Sequence, residues 1–459
     1  MGLPKITIPL LNGQLGQFVA VNGKVPGLIL SGVAVSGGIG LADPRQISSL
    51  ADAEALGITE LYDQTNTLDA HLQIKEFYDQ AGSGATLFIM LVAKTATMAS
   101  VCDVTNNLAK KLLDYAQGAI TFWGITRMPD GAYSLTTTNG FDDDAYAAII
   151  KAQALCDNYA GQFKPCRGII GARAFDGTPA DLVNLKANTD PRVMMLLGSS
   201  TDTYPLKAAT TIAAGSNVLT NAKVYVVEGA SITWNSLTKQ IGDQFTAVTG
   251  QLDFTGTGVV REVFSNNYRG TSMGLLMGRL AKTPVQRKPS RVRDGAVGLL
   301  NAFFSNGGSV MSLEDSWDSI HDKGYVFFRK FVNRNGFYFT SDPTCTSSAD
   351  DYSSFARGLV IDKAMRILYD SSLDDLEDDN DVDEDGFIAP AYAKGLQGKL
   401  EDALKLAMSG EISDATVTID PRQNVLSNNK VQITKAGVKP RFYASYIDIP
   451  LGFDNPQNQ

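Results

Sequence analysis

Two stretches of the chain set a long amphipathic helical pattern ahead of a short run that is almost wholly apolar. From Asp69 to Ala81, the residues Ala70, Ile74, Phe77, Tyr78 and Ala81 fall within about a 100° arc at 3.6 residues per turn. Gly82 and Gly84 then stop the helix, since glycine takes the left-handed turn at a helix end without steric cost. Thr86–Val92 (TLFIMLV) follows, an apolar run of strand length. Such a run reads as a strand covered on both faces. The order repeats with a helical stretch over Asp142–Tyr159 and the run Arg192–Leu197 (RVMMLL). Helix and buried strand alternating in this way predict an α/β core.

The remaining chain is less uniform, and the fold class read from it is mixed α/β (α+β) and multidomain. At the N-terminus Ile6, Ile8 and Leu10 alternate with Lys5, Thr7 and Pro9, the period of a half-buried strand. Pro9 has no amide to donate, which favours a sheet edge. Residues 205–270 are rich in Thr, Gly, Ala and Val and read as a β-rich outer section. Helical stripes run over Phe355–Tyr369 and Ala391–Met408, and Ala415–Ile419, Lys430–Thr434 and Tyr443–Ile449 read as closing strands. The expected division is an arm at 1–20, an α/β core at 21–200, the outer section at 201–290, a second α/β domain at 291–425, and a C-terminal β arm with a polar tail at 426–459.

Charge narrows the function. The net charge of −9 comes from one place: nine acidic residues crowd the segment Asp374–Asp385, and the other 40 face 40 Lys and Arg. A balanced body offers no basic excess for nucleic acid. No apolar run reaches the ~18 residues of a membrane helix, and the opening MGLPKITIPLLNGQLG is broken by Pro9 and Gly13, unlike a signal peptide. The two histidines, His71 and His321, leave little material for a zinc enzyme or a His-based triad, and the four sparse cysteines lack CxxC spacing. No cofactor is implied.

Individual motifs are weak. Asp381, Asp383, Asp385 and Gly386 open like a calcium loop, but position twelve is Tyr392, where an EF-hand supplies a bidentate glutamate. A solvated acidic loop is the plainer reading, with calcium as the alternative. Gly37-Gly38-Ile39-Gly40 satisfies neither dinucleotide nor Walker spacing and reads as a turn. The basic stretch Arg287, Lys288, Arg291 and Arg293 reads as a salt-bridge surface between subunits.

Three phrases in order resemble the contractile phage tail sheath family: LDAHLQIKEFYDQAGSGATLFIMLV (68–92), NGFYFTSDPTCTSSADDYSSFARGLVIDKAMRILYDSSL (335–373) and GKLEDALKLAMSGEISDATVTIDPRQNVLSNNKVQITKAGVKPRFYASYIDI (398–449). MGLLMGRLAKTPVQRKPSRVRDGAVG (273–298) is similar to phage and prophage members. The resemblance implies a structural subunit, not an enzyme, that stacks in hexameric rings around an inner tail tube protein. It implies contraction that drives the tube through an envelope for genome ejection. Baseplate and tail terminator proteins are the implied further partners, and the implied location is a virion tail assembled in the host cytoplasm.

An unpaired edge strand is an aggregation hazard in a monomer and a link when donated to a neighbour's sheet. The implied donors are Ile6, Ile8 and Leu10 at one end and Val431, Ile433, Tyr446, Ile447 and Ile449 at the other. Lys394 and Lys405, opposite the apolar stripe of their helix, are the implied tube-facing residues. A contractile bacteriocin or extracellular injection particle would use the same subunit. An α/β enzyme is the remote alternative.

Overall fold

A computed structural model of the chain describes residues 23–201, 269–427 and 429–453 in full and, between residues 210 and 263, the backbone of eight strands. The fold is mixed α/β, in two compact units that divide between Arg366 and Ile367.

The first unit is built on a seven-stranded sheet. Its strands are β1 (Pro26–Gly32), β2 (Arg45–Ile47), β3 (Leu87–Ala93), β4 (Phe122–Ile125), β5 (Arg167–Gly171), β6 (Val193–Leu196) and β7 (Tyr325–Val326), in the order β7-β6-β5-β4-β1-β3-β2. All pairings are parallel except β2 with β3. Every residue of β1 is buried, as a parallel strand flanked by helices on both faces requires. The predicted helix is α1 (Ala70–Ala81), with Ala70, Ile74, Phe77 and Tyr78 buried.

Helix α2 (Asp143–Ala160) precedes β5, and helix α3 (Met273–Ala281) packs along α1. The α1–α3 contact is unusually close. A Cβ at Gly274 would lie 1.8 Å from the Gln73 carbonyl oxygen, and one at Gly278 would lie 2.4 Å from that of Phe77. Two bare backbones a turn apart let the helices touch, which no larger residue allows.

Helix α4 (Phe355–Ser372) is fixed over its first turns by charge buried in pairs. Arg167, the first residue of β5, donates to Asp362 at 2.7 Å, and Arg192 donates to the same carboxylate at 2.9 Å. Asp362 and Arg167 are buried and Arg192 is half-buried. Gly358 makes room for the Arg167 guanidinium, whose Cζ lies 1.8 Å from where a Cβ would stand. Arg366 then donates to the carbonyls of Gly118, Ile120 and Pro165, in the loops leading into β4 and β5.

The strands between Thr210 and Val263 are antiparallel and pair only among themselves among the described residues. No helix among the described residues is long and apolar enough to cross a membrane.

The second unit consists of the end of α4, the acidic segment, helix α5 (Pro390–Ala407) and a hairpin of β8 (Ile412–Ile419) and β9 (Ile433–Pro440). Pro390 opens α5, where a missing amide costs nothing. Ala393, Leu396, Leu400 and Leu404 form its buried stripe, and Ile412, Ala415, Val417 and Ile419 are the buried residues of β8. The break in alternation between Ile412 and Ala415 coincides with a register shift at Ile412/Asp414, which rotates the strand by one residue.

The hairpin refines the expected strands. Pairing with β8 starts at Ile433, so Lys430, Val431 and Gln432 lie before the strand, and the strand runs on through Gly437 to Pro440. The expected strand Tyr443–Ile449 is not part of any sheet among the described residues.

Candidate inter-subunit interface

In an open parallel sheet the usual place for a ligand is the crevice beyond the carboxyl ends of the strands, where the order reverses. Here the chain leaves β3 on one side of β1 and resumes with β4 on the other. The residues beyond β4 and β5 bind one another. Arg127 pairs with Asp144 at 2.8 Å, Arg173 pairs with Asp142 at 2.5 Å, and all four side chains are nearly or fully buried. Tyr133 donates to Asp142 at 2.6 Å and lies under the Arg127 guanidinium, 4.1 Å from centroid to Cζ. Met128 N donates to Ser31 Oγ at the end of β1. Most of these polar groups spend their hydrogen bonds on the fold, while Arg127 Nε, Arg173 Nε and Thr126 Oγ1 are buried with no hydrogen-bond partner among the described residues.

The other chemically versatile residues are likewise engaged. His71 contacts Glu54 at 3.1 Å, and burial lowers the pKa of His321. All four cysteines are buried free thiols, and burial pushes the Cys156 and Cys345 thiols well up. Three residues of the basic stretch are met within their own chain: Arg287 and Arg291 pair with Asp294 at 3.7 and 2.6 Å, and Lys288 with Asp342 at 3.0 Å, while Arg293 is exposed.

In the acidic segment, Asp383 Oδ1 accepts the amides of Asp385 and Phe387 at 3.1 and 2.8 Å. This carboxylate closes a turn on itself. No group of three or more His, Cys, Asp or Glu side chains among the described residues is arranged to hold a metal. Asp381 and Asp385 remain exposed.

The second unit presents a different surface. Strand β9 pairs with β8 along one edge only, and its other edge is unpaired among the described residues. The outer edge of β8 is partly occupied, because the Val417 amide donates to Glu401 of α5 at 3.3 Å. Lys435 and Lys439 are on β9, the residue type that keeps an open edge soluble. Beyond Pro440, Phe442, Tyr446, Ile447, Ile449, Leu451 and Phe453 are all strongly exposed, Tyr446 at 83% and Leu451 at 95%. Scattered single apolar residues on a surface are ordinary, but a contiguous series marks a surface meant to be covered.

Of the expected donors, Val431 is exposed just before β9, Ile433 is half-buried on it, and Tyr446, Ile447 and Ile449 lie in the exposed series. Ile6, Ile8 and Leu10 lie outside the described residues. Phe442, Leu451 and Phe453 were not foreseen. The signal was present in part: Ile447, Ile449, Leu451 and Phe453 recur every second residue, and the last two lie past the expected strand end at Ile449.

Lys394 and Lys405 share one exposed side of α5. Lys405 also binds its own unit, pairing with Glu401 at 2.6 Å and Asp414 at 3.4 Å. That contact, together with the Val417 amide, holds the Glu401 carboxyl below the usual range.

The family model for the DUF2586 N-terminal domain matches residues 3–228 and 224–342. The chain is also similar to the anti-feeding prophage (AFP) helical sheath in its contracted state, solved by cryo-EM. The alignment has a TM-score of 0.55 at 14% identity and covers 99% of this chain and 100% of that chain. A chain of the six-fold symmetrised AFP baseplate aligns equally well, at 0.55 and 12% identity over 99% and 100%. A chain of the contracted AFP baseplate gives 0.53 at 12% over the same shares. No curated protein matches. At such identities the likeness establishes the fold, which is that of a contractile-injection-system sheath.

Proposed function

The chain belongs to the DUF2586 family, and from that premise and its sheath-like fold we propose that it is the structural subunit of a contractile tail sheath. Copies stack in hexameric rings around an inner tube protein, between a baseplate and a tail terminator, and the lattice shortens to drive the tube through an envelope. It catalyses no reaction in this reading, and its place is the assembled tail.

The observation that carries the proposal is the exposed apolar series from Phe442 to Phe453 beside a hairpin with an open edge. Fully burying a side chain of this size is worth roughly 1.5–3 kcal/mol. That gain is realised only against another sheet, and the backbone amides of an added strand bring strength and register with it. Donor and acceptor are different surfaces of one chain, so the contact is head-to-tail and propagates as a helix instead of closing as a dimer. Because the link is a strand, rigid bodies can rotate while it holds. The N-terminal residues Ile6, Ile8 and Leu10 would complete the same linkage. Lys394 and Lys405 would face the tube with contacts weak and salt-sensitive enough to release.

A headless injection particle, phage-derived but without a genome to eject, is the second reading. It is favoured by the anti-feeding prophage structures among the neighbours. The two share the subunit's mechanics.

The test is removal of residues 441–459. The shortened chain is expected to remain folded and monomeric, while the full chain forms striped cylinders under negative stain. Cylinders from both would refute the role given to the tail.

A further inference from the structure

The outer strands leave the α/β core after Ser200 and rejoin it before Ser272, and these two residues are bound to each other and to one buried acid. Ser200 N donates to Ser272 Oγ at 2.7 Å, and Ser272 N donates to the Gly198 carbonyl at 3.1 Å. Both hydroxyls donate to Glu76 Oε1 on α1, Ser272 at 3.3 Å and Ser200 at shorter range. Gln73, one turn before Glu76, holds the returning chain as well. Its amide nitrogen donates to the Thr271 carbonyl at 2.7 Å, and its oxygen accepts the Gly274 amide at 2.8 Å.

We propose that Glu76 is a proton-sensitive clasp on the stem of the outer section, closed when its carboxyl is neutral and loosened when it ionises. The inference concerns the core alone and holds whatever the chain assembles into.

The surroundings give Glu76 no counter-charge. On its own helix and at its cap, Asp69 and Asp79 are of like sign, His71 is held by Glu54 at 3.1 Å, and the one lysine, Lys75, pairs with Asp79 at 3.4 Å. The one charged residue of α3 is Arg279, and it donates to the Gly295 carbonyl. From the helix Leu50–Ala55 come Asp52, bound to Ser48 and Ser49, and Glu54, bound to His71. From the helix Glu60–Asn66 come Asp63, which takes the Leu72 amide, and the exposed Glu60, which takes the Gln64 side-chain amide. Strand β1 brings no charge. Among the described residues no cation pairs with Glu76, and Oε2 is buried with no hydrogen-bond partner. A charge in such a place is costly. Burial, opposed by the two serine hydroxyls, pushes the carboxyl up to about 7.

The sign follows from linkage. The closed stem holds the proton more tightly than the open one, so closure is firmest below the ordinary carboxyl range. It weakens as pH rises towards about 7.

Hydrogen exchange at the Ser200 and Ser272 amides of the full-length monomer, with each rate divided by its intrinsic value, reads the opening directly. In the wild type the opening should rise tenfold or more between about pH 5 and about pH 7. In Glu76→Gln, which keeps the hydroxyl contacts and cannot ionise, it should stay flat. Equal pH dependence in both proteins would overturn the proposal. If Glu76→Gln fails to fold, Ser200→Ala decides: losing a donor that favours the charged form should move the midpoint of opening to higher pH, and an unmoved midpoint would overturn it.

Discussion

Strand β1 and the segment 441–453 are both rich in large apolar residues, and they dispose of them in opposite ways. In β1 every residue is buried inside its own unit, with a parallel neighbour on each side. In 441–453 the large apolar residues other than the half-buried Tyr443 are exposed, and no strand pairs with the segment among the described residues. The first region is complete as a monomer. The second is left uncovered by the described residues of its own chain. The contrast extends to charge: the first unit hides Arg167, Asp362 and Asp142 in mutual pairs, whereas the second keeps Lys399–Asp375 and Lys405–Glu401 near solvent. Buried pairs fix one packing, and exposed pairs leave a surface free to exchange partners.

Substitutions should divide along the same line. Asp362→Ala leaves the buried Arg167 and the half-buried Arg192 without their shared carboxylate. It should cost about 3–5 kcal/mol of stability in urea unfolding. Gly274→Ala forces a methyl group into the α1–α3 contact and should cost about 1–3 kcal/mol by the same measurement. Ile447→Asp with Ile449→Asp should leave monomer unfolding within about 0.5 kcal/mol of wild type and yet abolish sedimenting polymer. Were that pair to destabilise the monomer as Gly274→Ala does, the tail would belong to its own subunit and the contrast would fail. Lys394→Glu with Lys405→Glu should have the smallest effect on unfolding and show itself only as weaker, less salt-sensitive co-sedimentation with inner tubes.

Much of the first region was legible because its rules are local. The glycines after Ala81 and the unbroken TLFIMLV placed α1 and β3, since helix caps and buried strands are written in neighbouring residues. The pairing of Arg167 with Asp362 was not legible: they stand 195 positions apart and meet only through the tertiary fold. Glu76 was hidden for the same reason, as a polar residue on the helical face that the stem of the outer strands covers. In the tail, period-two alternation marked Ile447 and Ile449, and its continuation to Leu451 and Phe453 lay past the expected strand end at Ile449. The hairpin was misplaced because β9 contains Lys435, Gly437 and Lys439, residues with little strand signal, in a strand held by its partner β8.

The most direct measurement is a cryo-EM reconstruction of the assembled polymer in which residues 441–453 can be traced. The account predicts that they lie as an added strand along the open edge of β9 in a neighbouring copy, with Ile447, Ile449, Leu451 and Phe453 covered. Finding them folded back on their own subunit, or still bare in the polymer, would contradict it.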